Sequence, residues 1–314
     1  MARIDLATAG YLAGWKFVGT MPEAWTASAF ARGADKLSRE GAGMEMLRRN
    51  LTRVVGPAGV TRALVREATR SYARYWHEVF RLPQLAGAPG LLRELDAGVE
   101  GRAHIDAALG KGRGLILTLP HSGNWDMAGM WLAHHYGGFT TVAERVKPEA
   151  LYDAFVEFRE GLGFEVLPLT GAPTPPFTRL KEVLTAGGIV CLMGERDLAG
   201  RGVKVRFFGE TTTMPAGPAK LALETGAQLT VAHSWFPSPT SRGPRWGFSV
   251  SEPVQVTTLA ATAQRVADGF AAGISRHPQD WHALQPIWPA DAQWQAAAHP
   301  RRREARAEAQ GGTD

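Results

Sequence analysis

The stretch Gly112-Arg-Gly-Leu-Ile-Leu-Thr-Leu-Pro-His121-Ser-Gly-Asn-Trp-Asp126 decides the reading of this chain. Its apolar run is uncharged and of strand length, as expected of a strand buried on both faces. Pro120 ends it, because proline lacks the N–H that a ladder needs. Ser122, Gly123 and Asn124 supply turn and N-cap chemistry. The segment that follows, residues 124–136, reads as a helix stopped by Gly137-Gly138. A histidine therefore stands where a buried strand gives way to a helix, the place where open α/β sheets bind ligands.

Working outward, strand and helix patterns alternate. Strands are predicted at 139–142, 164–169, 189–193, 229–235 and 246–250. Helices are predicted at 148–162, 177–186, 218–225 and 258–277. That alternation predicts an α/β fold: a central, mostly parallel sheet with helices on both faces. Residues 5–55 and 60–81 read as helical, so the first hundred residues should pack against the sheet as a helical N-terminal part. No Pro/Ser-rich linker divides the 314 residues, so one domain is expected over 1–299, followed by a polar, frayed tail at 300–314.

Composition narrows the function classes. Hydrophobic residues make up 45% and charged residues 21%, enough for a full core. The one cysteine, Cys191, sits in the apolar run Gly188-Ile-Val-Cys-Leu-Met193 and reads as a small core hydrophobe. A reducing compartment fits this usage. No apolar run approaches the length of a spanning helix. The net charge of +5 and ten tryptophans suit a protein that lies on an anionic lipid surface. Leu6, Ala9, Leu12, Ala13, Phe17 and Val18 would form one apolar face of a helix suited to a headgroup layer or to packing on the domain.

Two clusters carry chemistry. In the first, Asp126 follows His121 after four residues, a spacing that lets its carboxylate accept from one imidazole N–H and leave the other nitrogen as a base. The alternative is that Asp126 complements the helix dipole. The second is Gly194-Glu195-Arg196-Asp197, again at the end of a buried strand and beside the first; a solvated loop is its plainer reading. A third stretch, Arg206-Phe-Phe-Gly209 and then 211–218, reads as a hydroxyl-rich turn before a helix, a weak anion site. There is no G-x-S-x-G elbow and no G-x-x-x-x-G-K-[ST] loop. His277 and His282 flank Asp280-Trp281 without the spacing of a metal signature.

These residues resemble the glycerolipid and lipid A type acyltransferases, in particular the phosphatidylinositol mannoside acyltransferases of mycobacteria and related actinomycetes. The resemblance rests on Leu119-Pro-His-Ser-Gly-Asn-Trp-Asp-Met-Ala-Gly129, Thr141-Val-Ala-Glu-Arg145, Leu162-Gly-Phe-Glu-Val-Leu-Pro-Leu-Thr-Gly171, Glu195-Arg-Asp197, Met214-Pro-Ala-Gly-Pro-Ala-Lys220 and the closing His277-Pro-Gln-Asp-Trp-His282. Lipid A enzymes usually carry Asp-Gln-Asp where this chain has Glu195-Arg196-Asp197, which argues against a lipid A acceptor. The resemblance implies transfer of a long acyl chain, typically palmitoyl, from coenzyme A to a mannose hydroxyl of a phosphatidylinositol mono- or dimannoside. It places the protein peripherally on the cytoplasmic face of the inner membrane, with acyl-CoA as co-substrate and no metal or other cofactor; the oligomeric state is left open, a monomer being favoured. It assigns His121 as general base, Asp126 as its orienting partner, and Glu195 to position either the mannose or the histidine. Arg145 and Arg159 would meet the acceptor phosphate or hold acidic residues. Glu144, Arg196, Asp197 and Trp125 complete the expected substrate site, with Trp125, Met127 and Met130 either lining an acyl groove or belonging to the core. Two alternatives stand beside it: a lysophospholipid acyltransferase using the same pair, and a non-catalytic lipid-binding protein. Nucleic-acid binding is not supported, the basic residues being scattered.

Overall fold

The computed structural model describes residues 14 and 17–298, apart from 146–148, 172–173, 199 and 239–242. The expected tail at 300–314 and most of the N-terminal apolar face lie outside the described residues.

After a helical stretch at 17–20 come three helices: α1 (Glu23–Leu37), α2 (Glu45–Gly59) and α3 (Arg62–Ala86). Then come α4 (Leu91–Ala97), β1 (Val99–Glu100), α5 (Arg102–Leu109), β2 (Leu115–Leu119), α6 (Trp125–Tyr136), β3 (Phe139–Ala143), α7 (Glu149–Gly161) and β4 (Phe164–Pro168). The rest is α8 (Pro176–Thr185), β5 (Ile189–Met193), β6 (Val203–Phe207), β7 (Glu210–Met214), α9 (Gly217–Thr225), β8 (Gln228–Trp235), β9 (Gly247–Pro253), α10 (Leu259–Arg276), a 3₁₀ turn (Pro278–Asp280) and α11 (Pro289–Ala298).

The sheet order is β1-β9-β8-β2-β5-β3-β4. β8, β2, β5, β3 and β4 are parallel; β9 is antiparallel to β8, and β1 pairs parallel with β9. The expected mostly parallel α/β sheet is present, with β2 at its centre. Its two faces bury separate clusters. α3, α4, α5, α6 and α7 cover one. On the other lie α8, α9, α10, the β6–β7 hairpin, Trp281 and Trp288.

The N-terminal helices are tied down by polar links. On α1, Asp35 accepts from Arg66 and Arg70 of α3, and these guanidinium hydrogen bonds hold its carboxyl well below the usual range. On α2, Asn50 donates to the carbonyls of Ala283 and Gln285. Arg49 and Arg53 pair with the buried Asp291. The N-terminal helices thus grip the segment that follows α10.

One sequence expectation needs correction. Residues 203–214 are an antiparallel hairpin, β6–β7, rather than an extended turn leading to a helix. Phe208 (φ 48°) and Gly209 (φ 80°) form its two-residue loop, and two positive φ angles in succession match the twist of a hairpin. Lys204 and Arg206 on one strand face Thr213 and Thr211 on the other, which is why the stretch looked like a polar loop.

Candidate active site

β2 ends at Leu119, and the turn that follows is fixed from several sides. Gly123 has φ +53°, and a Cβ there would lie 2.5 Å from the carbonyl carbon of Ser234 on β8. Only glycine lets the turn settle against that strand. The Gly123 N–H donates to the Asp280 carbonyl (2.9 Å), and the His282 N–H donates to the His121 carbonyl (2.8 Å). Ser122 bridges Trp281. Asn124 then caps α6, its side-chain oxygen accepting from the Met127 N–H. Its amide donates to the buried Glu78 of α3 (2.7 Å), which also accepts from the Trp246 indole (2.8 Å).

His121 Nδ1 lies 2.6 Å from Glu195 Oε1, and the same oxygen accepts the His121 backbone N–H at 3.0 Å. Glu195 is 1% exposed. Burial works to raise its pKa, but the charge and hydrogen bonds of His121 outweigh burial and hold the carboxyl below its usual range. An ionised Glu195 makes Nδ1 the donor, so the neutral imidazole keeps its lone pair on Nε2.

Asp126 is held elsewhere. Arg159 of α7 donates to both of its oxygens (2.8 and 3.1 Å), and the Tyr75 hydroxyl donates at 3.0 Å. The expected His121–Asp126 pair is therefore replaced by two pairs, His121–Glu195 and Asp126–Arg159. The physical reason is direction. α6 begins at Trp125, so its first turn aims Asp126 at α3 and α7, while β5 runs beside β2 and delivers Glu195 to the imidazole. Burial opposes the charge on Arg159, yet the Asp126 carboxylate holds its pKa above the ordinary arginine range. Burial, and then the Asp126 charge, pushes the Tyr75 phenol well above its usual range.

Between α6 and the sheet lies a cavity of about 390 Å³. His121, Trp125, Asp126, Glu144 and Arg159 line it, and the remaining walls are mostly apolar side chains from α3, α6, α7 and the sheet. Trp125 packs tilted against Tyr75 (centroids 3.9 Å, 32° between planes) and stands edge-on to His121 (5.4 Å). Among the described residues, no group of three or more His, Cys, Asp or Glu is placed to hold a metal ion.

The model of the bacterial lipid A biosynthesis acyltransferase family matches residues 5–289. The chain belongs to that family. Phosphatidylinositol mannoside acyltransferase of Mycobacterium tuberculosis is 53% identical over 285 residues, covering 90% of this chain and 88% of that protein. The protein of the same name from Mycolicibacterium smegmatis is 54% identical over 286 residues, covering 90% and 91%. This member of the family is an acyltransferase of lipid biosynthesis.

The family resemblance drawn from sequence thus holds, while the expected site residues scatter in their surroundings. Trp125 and Glu144 reach the cavity. Arg159 reaches it too, but its guanidinium is spent on Asp126 rather than free for a phosphate. Arg145 pairs with Glu149 (3.3 Å) and lies over the Tyr152 ring. Arg196 donates to Gln285. Asp197 accepts the backbone N–H groups of Arg201 and Gly202, which shapes its loop. Met127 and Met130 are core, not groove.

Sequence reasoning passed over Ser71, Tyr75 and Glu78. They recur at 4- and 3-residue spacing on the buried face of α3. Polar side chains on a face that otherwise reads apolar were the available signal, since buried polar groups need partners.

Asp280 makes one link in this assembly titratable. Its carboxylate accepts from Ser71 Oγ (2.7 Å), the Phe236 N–H (3.1 Å) and Gln279 (3.2 Å), and burial raises its pKa to about 6. A raised carboxyl pKa adds stability that is complete below about pH 4 and lost as pH rises through 6, worth about 3 kcal/mol. The wild type minus Asp280→Asn difference in unfolding free energy, from urea titrations at pH 4, 5, 6 and 7, is expected to decline by that amount. A pH-independent difference would contradict the assignment.

Proposed function

We propose that the chain transfers a long fatty acyl group, typically palmitoyl, from a coenzyme A thioester to a mannose hydroxyl of a phosphatidylinositol mono- or dimannoside. The observation that carries the reading is a histidine with one nitrogen tied to a buried carboxylate, at a deep, largely apolar cavity. The hydroxyl oxygen attacks the thioester carbonyl carbon while His121 Nε2 takes its proton. The tetrahedral intermediate then collapses, the carbon–sulfur bond breaks, and the imidazolium returns the proton to the departing coenzyme A sulfur. Glu195 stabilises the imidazolium and fixes the tautomer. No covalent enzyme intermediate is needed, and no metal or other cofactor takes part in this scheme.

The acceptor fits a neutral sugar hydroxyl better than a lysophospholipid. Among the described residues that line the cavity, Arg159 is the one arginine or lysine, and Asp126 neutralises it. The site of action is the cytoplasmic face of the inner membrane, with the protein peripheral on the anionic surface. Phe17 and Trp25 support this, standing 61% and 68% exposed on the N-terminal helical part, where an apolar, wet interface would receive them. No helix among the described residues is long and apolar enough to cross a membrane.

The test is palmitoyl-CoA with phosphatidylinositol dimannoside, against lysophosphatidic acid as rival acceptor and His121→Ala as control, with the product mapped by mass spectrometry. Acyl-mannose that vanishes in the variant is expected. Acylation of the lysolipid alone would overturn the glycolipid assignment, and transfer to neither acceptor would favour the lipid-binding reading.

A further inference from the structure

The cavity does not have one depth. Along β2 and β5 its lining stops at Leu117 and Cys191, and along β8 at Ala232. On the side of β3 and β4 it reaches the first residues of the strands, Phe139 and Phe164, and a second arm on the side of β1 and β9 reaches Val99, Val250 and Ile105 of α5. Phe139 and Phe164 are register partners, their rings lie 4.4 Å apart, and both are buried.

Gly129 of α6 closes the same spot from above. A Cβ there would lie 2.7 Å from Phe164 Cζ and 3.0 Å from Phe139 Cζ. The helix, its missing side chain and the two rings thus shut the arm of the cavity on the side of β3 and β4.

We infer that the Phe139–Phe164 pair beneath Gly129 is the floor of the acyl arm and sets the longest chain the enzyme accepts. The inference rests on the acyl-transfer reading above. The path from the end of β2 to the start of β4 crosses three strand spacings and descends four residues, a diagonal of about 20 Å. That is a little more than one hydrocarbon leaflet of about 15 Å, the span of an ordinary membrane acyl chain. The turns at Gly138 and Gly163 immediately precede the two rings in the chain, and a Cβ on Gly138 would meet the Gly163 carbonyl at 2.7 Å. Trimming a ring therefore extends the arm toward the surface. Its end is rigid because each ring leans on the other and on the helix, so one extra methylene has no room until a ring is removed.

The experiment is a kcat/KM profile for acyl-CoA donors of about 12 to 20 carbons with the full chain and phosphatidylinositol dimannoside. Phe164→Ala and Phe164→Leu are compared with wild type, the leucine form guarding against a fold weakened by the larger cavity. Both are expected to raise the ratio of a donor two carbons beyond the wild-type optimum to the optimum itself by about tenfold. Gly129→Ala, which presses the rings into the arm, is expected to lower it. Val250→Phe narrows the opposite side, by β9, and should leave the ratio unchanged. An unaltered profile in both Phe164 variants would overturn the floor, and a shift confined to Val250→Phe would place the chain in the other arm. If wild type transfers no acyl group, the acyl-transfer reading fails by itself. The same fatty-acid series, bound directly and read by tryptophan quenching, then decides the floor: longer chains bound by Phe164→Leu support it, identical length dependence overturns it.

Discussion

Glu195→Gln is expected to lower kcat about 10²–10⁴-fold with the melting temperature little changed. Glutamine is the same size, and its carbonyl oxygen can still accept the His121 N–H groups. What it lacks is the negative charge that makes Nδ1 the donor and stabilises the imidazolium once Nε2 has taken the proton. The present geometry concentrates both jobs on one oxygen, Oε1, at 2.6 Å from Nδ1 and 3.0 Å from the backbone nitrogen. The loss should appear in kcat more than in KM, because the charge matters most when the imidazolium exists. Steady-state kinetics on the purified variant, with thermal melts alongside, reads both. A variant as active as wild type would remove Glu195 from the mechanism.

The second large effect is on stability. Arg159→Met leaves the Asp126 carboxylate, 2% exposed, with the Tyr75 hydroxyl as its one hydrogen-bond donor. Breaking a buried pair on one side typically costs about 3–5 kcal/mol, because the abandoned charge stays out of water. Urea denaturation should show that loss. The double variant Asp126→Leu/Arg159→Met should recover part of it, since removing both charges removes the stranded one. The contrast with Glu195 separates the two pairs. Were Asp126 the partner of the imidazole, Asp126→Asn would cut kcat and spare stability, and that result would overturn the assignment made here.

The sequence was legible where the physics is local. Uncharged apolar runs gave β2 and β5 because strands buried on both faces tolerate little else. Asn124 and Gly137 gave the ends of α6 because capping chemistry is short-range. The partner of His121 was not legible in the same way. Asp126 is near in sequence, but a helix start turns it away, and Glu195 arrives from a neighbouring parallel strand that sequence distance hides. The same holds for Glu78, whose contact with Asn124 spans 46 residues. The β6–β7 hairpin escaped because its exposed face is Lys, Arg and Thr, which reads as loop until its pairing is seen. β1, with two residues, is too short to leave a periodic signal.

The clasp of residues 280–282 on the His121 turn has a consequence for how the enzyme comes into being. A ribosome releases the chain from its N-terminus, at about 5–20 residues per second. The turn bearing His121, the proposed base, emerges well before the segment that shapes it, and Ser71 waits across 209 residues for Asp280. A nascent chain can therefore wall in the cavity while the His121 turn is still unset. Products that stop short of residue 278 lack the stretch of backbone that pins His121 and Gly123, so they are expected to be inactive.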